Sequence, residues 1–134
     1  MVSPPVWRQT LSLAFPESAR NVARLLMYAG RKARPDGLVV MDDNFVDDAV
    51  AGLVAEGIRV PKDLEVVVYC NFPWPALKVM PVKRIGLDIA AFLRLCIDLI
   101  DRQRRGEPVP AATQIAAVWE EETARSLSAR APAV

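Results

Sequence analysis

Histidine is absent from the 134 residues. That removes the side chain most often used as general base and as metal ligand near neutral pH, so several enzyme classes lose ground at once. Cysteine is scarce: Cys70 and Cys96 lack metal-ligand spacing and read as packing or pocket-lining residues. No cofactor and no metal centre are expected. An excess of either charge is missing too, with 17 Lys and Arg against 16 Asp and Glu and a formal net charge of +1. There is no electrostatic case for direct nucleic-acid binding and no basic stripe interleaved with aromatics. Long apolar runs are lacking. The most apolar long stretch, residues 85–100, carries Asp88, Arg94 and Asp98, so no membrane span is expected. The opening MVSPPVWRQ lacks a charged segment followed by an apolar one, so no secretory signal is expected and the cytoplasm is the expected location. No internal repeat is visible.

What is present is an ordinary globular composition, 52% hydrophobic and 25% charged, in a chain of one-domain length. Arg34 to Asn71 reads as one parallel βαβ unit. Leu38 to Met41 is a short apolar run, expected as a strand buried on both faces. Asp42, Asp43 and Asn44 interrupt it, and Asp43 or Asn44 is the expected N-cap of the next helix. Val46, Ala49, Val50, Leu53 and Val54 follow at helical spacing, with Gly57 as the stop. Glu65 to Tyr69 restores a β-branched strand. In open α/β sheets ligands sit beyond the carboxyl ends of strands. Those ends are expected at Asp42-Asp43 and at Cys70-Asn71.

Around this unit, Trp7 to Phe15 has the character of a strand through Thr10, Leu11, Leu13 and Phe15. Pro16-Glu17-Ser18 then opens a helix with an expected stripe of Ala19, Val22, Ala23, Leu25, Leu26 and Ala29, ended by Gly30. The basic run at 31–34 reads as a solvated helix end in preference to a nucleic-acid contact. FPWPALKVMP, from Phe72, holds three prolines in ten residues and is expected as an ordered loop. A helix from about Asp88 to Arg105 should bury Ile89, Phe92, Leu93, Cys96, Leu99 and Ile100. It should also form i,i+4 pairs between Asp98 and Arg102 and between Asp101 and Arg105. Gly106 should end it, Thr113 to Trp119 should form a closing strand, and residues 120–134 should be a flexible tail after a 1–119 domain.

The order of these pieces resembles the C-terminal part of the effector-binding region of lactose-repressor-type (LacI/GalR) transcription regulators. The resemblance rests on Arg34-Pro35-Asp36-Gly37, Asp42-Asp43, Glu56-Gly57, Val60-Pro61-Lys62-Asp63 and Tyr69-Cys70-Asn71, then Met80-Pro81-Val82-Lys83-Arg84-Ile85 and Arg104-Arg105-Gly106-Glu107-Pro108. It runs from about Pro16 to Trp119. It implies an α/β fold: a Rossmann-like parallel sheet with flanking helices, an incomplete periplasmic-binding-protein-like fold made mostly of the second lobe plus a returning crossover helix over 88–105. The family's DNA-binding helices and nearly all of its first lobe have no counterpart in these residues. DNA contact is therefore expected only through an N-terminal domain absent from this chain, and the 88–105 helix needs a substitute partner for its apolar stripe.

Carried over position by position, the resemblance implies effector contacts at Asp42, Cys70, Phe15, Glu17 and Ile89. It implies a homodimer interface at Phe45, Val46, Ala49, Val50, Phe72, Trp74, Leu77 and Met80. The implied partner is a small, sugar-like effector, although a thiol at Cys70 is a poor substitute for the carboxylate the family often places there. The implied function is effector sensing and dimerisation without catalysis. A competing reading takes Asp42 and Asp43 as Mg²⁺ ligands in a receiver-like or phosphohydrolase-like domain. Capping of the following helix accounts for the same acids and is preferred. A periplasmic solute-binding fragment is a third reading, disfavoured by the lack of a signal segment.

Overall fold

The computed structural model describes residues 5–28, 34–73 and 79–123. After a 3-10 turn at Pro5–Trp7 come helix α1 (Ser18–Tyr28), strand β1 (Gly37–Val40) and helix α2 (Val46–Ala55). Strands β2 (Glu65–Phe72) and β3 (Lys83–Asp88), helix α3 (Ile89–Arg104) and the two-residue strand β4 (Val118–Trp119) complete the described elements. The strand order is β1-β2-β3-β4, a mixed α/β sheet with flanking helices, the class expected from the sequence. Contacts divide the chain into two units, residues 1–69 with 76–83 and residues 70–75 with 84–134; β2 runs through both.

In the first unit, β1 and β2 pair in parallel, from Gly37 opposite Glu65 to Val40 opposite Val68. A parallel pair needs a crossover, and α2 supplies it. Its end is a Schellman motif: Gly57 adopts φ +66, its N–H donates to the Val54 carbonyl, and the Ile58 N–H donates to Leu53, each at 3.0 Å. Ile58 and Leu53 are both buried in the same core, which fixes the direction in which the chain leaves the helix. Asp63 closes the following turn by accepting from the backbone N–H and the guanidinium of Arg59. β2 then alternates, with Val66 and Val68 buried and Glu65 exposed.

The core of this unit sits between the sheet and two helices, with Leu53 and Leu64 almost wholly enclosed. α1 packs extensively on α2. Ala19 and Ala23 keep the contact face of α1 thin, and Gly52 does the same for α2. A Cβ on Gly52 would overlap the Arg20 carbonyl and come within 2.9 Å of the Ala23 methyl.

Three expectations fail in this unit. Residues 8–15 form no strand; they run as irregular chain and turns, with Ser12 and Phe15 carbonyls closing successive turns into α1. β1 is not buried on both faces, since Val39 is 61% exposed, as is Met41 beyond it at 69%. β1 stands at the sheet edge with no described strand on its outer side, so its apolar run is only half covered. On α1, Leu25 faces solvent and Met27 takes its expected place in the core. Ala29, Gly30 and residues 31–33 lie outside the described residues.

In the second unit, β2 continues through Cys70 and Asn71 to Phe72, so Cys70 is a buried mid-strand residue and not a strand end. Gly86 of β3 lies against it, where a Cβ would overlap the Cys70 carbonyl. β3 pairs antiparallel with β4 through Ile85 and Trp119. Only Val118 and Trp119 of the expected 113–119 strand pair. Arg84, buried on β3, reaches the Glu120 carboxylate at 2.8 Å. Residues 120–123 form a helical turn in which Thr123 is buried, so the chain is folded past the expected tail boundary; residues 124–134 lie outside the described part.

α3 is capped at its start by Asp88, whose Oδ1 accepts from the Ala91 N–H at 2.9 Å. It ends in a second Schellman motif at Gly106, φ +72. The expected pairs of Asp98 with Arg102 and Asp101 with Arg105 do not form. Glu107, folded back past Gly106, accepts from Arg105 and pairs with Arg102 at 3.6 Å instead. The Arg105 guanidinium holds the Glu107 carboxyl below the usual glutamate range. The expected burial of the α3 stripe is also overturned. No residue of α3 is buried, and Leu93, Ile97 and Ile100 are 52%, 59% and 49% exposed. Ile89, Phe92, Cys96 and Leu99 are half-buried.

Candidate functional site

The turn after β1 begins with Asp42 in extended conformation, φ −146 and ψ 124. Its Oδ1 accepts from the Asn44 backbone N–H at 3.0 Å and from the Asn44 side-chain amide at 2.8 Å. Asp42, immediately before the two expected positions, is therefore the N-cap of a 3-10 turn at Asp43–Phe45 that runs directly into α2, whose own N-cap position, Phe45, makes no side-chain cap bond. Asp47 and Asp48 follow in the first turn of α2, where the helix dipole favours negative charge. This arrangement accounts for the acidic run. Among the described residues, no group of three His, Cys, Asp or Glu side chains is placed to hold a metal ion.

Beside this cap lies a cleft of about 270 Å³ contained within the first unit. Its walls are Leu38, Val39 and Val40 from β1 with Met41 just beyond it, Ala19, Ala23 and Leu26 from α1, Phe45 from the 3-10 turn and Ala49 from α2. Gln9, Thr10 and Leu11 close the remaining side, and Asp42 is the one charged residue on its wall among the described residues. The cleft exists because residues 9–11 lie alongside β1 without pairing to it, while three alanines on the helices supply little volume to fill the space between. Gln9 is held by its side-chain amide, which donates to the Val6 carbonyl at 2.6 Å.

Of the five residues expected to contact an effector, only Asp42 lines this cleft. Phe15 and Glu17 are exposed just before α1, and the Phe15 carbonyl accepts from the Ser18 N–H and hydroxyl. Cys70 and Ile89 belong to the second unit, one buried in β2 and the other half-buried at the start of α3. Among the expected dimer residues, Phe45, Val46, Ala49 and Val50 are buried within the protomer, as is Phe72. A helix stripe with small and β-branched residues reads equally as interface or core, and here it packs inward. Met80 is half-buried against the core, and Trp74 and Leu77 lie outside the described residues. Sequence reasoning missed Gln9, Thr10 and Leu11 as cleft residues because it paired them into a strand. It missed Ala19 and Ala23 because alanines on an apolar stripe read only as core.

A family model of the periplasmic binding protein-like domain matches residues 4–120. The chain belongs to this family. Solved structures of similar fold include a LacI family transcriptional regulator from Lactobacillus casei with bound sucrose, 19% identical, with a TM-score of 0.61 over 78% of this chain and 38% of that one. The same regulator with bound glucose gives 18% identity and a TM-score of 0.62, over 78% and 37%. A form with bound Tris matches to the same degree. The chain thus spans less than two-fifths of the length of these regulators. No curated protein matches it significantly. No helix among the described residues is long and apolar enough to cross a membrane.

Within this member of the family, Asp42 caps the 3-10 turn that leads into the crossover helix and stands on the cleft wall. Asp42→Ala should lower stability by about 1 kcal/mol, the usual cost of a lost cap, while Asp42→Asn, which keeps an acceptor, should change it by less than half as much. Urea unfolding of the two variants measures this; equal losses would refute the capping role.

Proposed function

We propose that this chain is the effector-binding lobe of a LacI-type transcription regulator. It senses a small organic molecule in the cytoplasm and relays its presence to a DNA-binding part located N-terminally in a full-length regulator. It does so by binding alone, without catalysis. The observation that carries this reading is the cleft that runs along β1 to Asp42 at the strand's carboxyl end, in a chain of the periplasmic binding protein-like family. The relatives of similar fold hold sucrose and glucose, which supports a ligand of sugar-like size. Occupancy of the cleft would bear on α1, β1 and the start of α2 together, and so would bias how the lobe is held.

Thermal unfolding of the chain against a panel of sugars, nucleosides and small amines tests the reading. At least one class should raise Tm through preferential binding to the folded state. Val39→Trp, which places a bulky group at the open side of the cleft without touching a buried residue, should abolish the rise. A panel that leaves Tm unchanged throughout would refute the proposal.

The regulator reading also entails a homodimer. With Phe45, Val46, Ala49 and Val50 turned inward, the contact falls on the outer face of α2, where Asp47, Ala51 and Val54 are exposed one helical turn apart. Sedimentation should show twice the protomer mass, and Val54→Asp should return it to that of one chain. A single-chain mass at all concentrations would remove the dimer.

A further inference from the structure

The polar side chains of the cleft offer more acceptors than donors. Asp42 accepts only, and its Oδ1 already carries both bonds from Asn44, which leaves Oδ2 as the acceptor with open capacity. One N–H of the Gln9 amide is committed to the Val6 carbonyl, which leaves its second N–H and its Oε1 open to a ligand. Thr10 adds one hydroxyl. Among the described residues no lysine or arginine lines the space, and the other ten that line it are apolar.

A sugar fits this inventory badly. Each of its hydroxyls both donates and accepts, and every one buried without a partner costs roughly 1–3 kcal/mol. As donors the described side chains supply only the second Gln9 N–H and the Thr10 hydroxyl, too few for a ring of hydroxyls. A primary ammonium group is the complementary ligand, with three donors and no acceptor. Its positive charge would offset the one uncompensated carboxylate on the wall. The rest of the ligand must be apolar to match Leu26, Leu38 and Phe45. A cavity of about 150 Å³ accommodates benzene, so about 270 Å³ leaves room for one ring and a short aminoalkyl arm.

We propose that this cleft takes a small primary amine with a compact apolar body, its ammonium on Asp42 Oδ2 and its body between α1, α2 and β1. The inference rests on the reading of the cleft as an effector site and names the chemical class of that effector.

Titration calorimetry of the chain with benzylamine, benzyl alcohol and glucose tests it. Benzylamine should bind about fivefold more tightly than the alcohol of the same shape, the ratio expected for one partly screened charge pair. Glucose should give no signal. Asp42→Asn keeps the cap acceptor but loses the charge, and should bring the amine down to the affinity of the alcohol. Equal affinities of amine and alcohol for the unsubstituted chain would overturn the proposal, and so would an undiminished amine affinity in the variant. Glucose binding with a silent amine would overturn it while leaving the effector site standing. Silence of all three would also overturn it, and the panel of sugars, nucleosides and amines then decides separately whether the cleft binds any effector.

Discussion

Gly52 has no side chain because the backbone of α1 occupies the place where one would be. Alanine is ordinarily the better helix former, so the glycine is explained by the close approach of two helices and not by local preference. The Ala23 methyl meets it from α1. With the helices this near, Leu53 is driven into the core against Leu64 and Ile58, and β2 is covered along Val66. The arrangement also sets the cleft: small residues that let α1 approach α2 leave unfilled space towards β1.

Asp42 joins that space to the fold. Its carboxylate orders the turn between β1 and α2, and the same turn carries Phe45 and Ala49 onto the cleft wall. A ligand pulling on Asp42 would act on a cap, and through it on the orientation of α2. That coupling gives a binding lobe of this family a short physical route from ligand to helix, with no need for a catalytic group.

The crossover unit was legible in the sequence because its signals are local. Apolar spacing in residues 46–54, Gly57 in the left-handed region and the β-branched run from Glu65 each depend on near neighbours. The failures depend on distant ones. Thr10 and Leu11 have strand character, yet nothing in their composition says whether they pair with β1. Val39 and Met41 are apolar enough for a strand covered on both sides, but cover is a property of what lies opposite. Cys70 reads as a turn residue by its resemblance to a family motif, while the pairing of β2 carries the strand on to Phe72. Asp42 was singled out in the sequence because strand ends hold ligands in such sheets, and it does line the cleft. The residues that surround it were not, since an alanine stripe says nothing about volume left empty.

α3 marks the other limit. Its periodicity, cap and stop are all written locally, and its exposed Leu93, Ile97 and Ile100 show that amphipathic spacing announces a face without supplying its cover. The first unit differs in that its cover is present, and it hangs on the α1–α2 contact. Urea unfolding of Gly52→Ala tests that dependence most directly. At an open helix position the change would stabilise by up to about 1 kcal/mol; here the overlap with the Arg20 carbonyl should destabilise by about 1–3 kcal/mol. A variant as stable as the parent, or more so, would contradict the account.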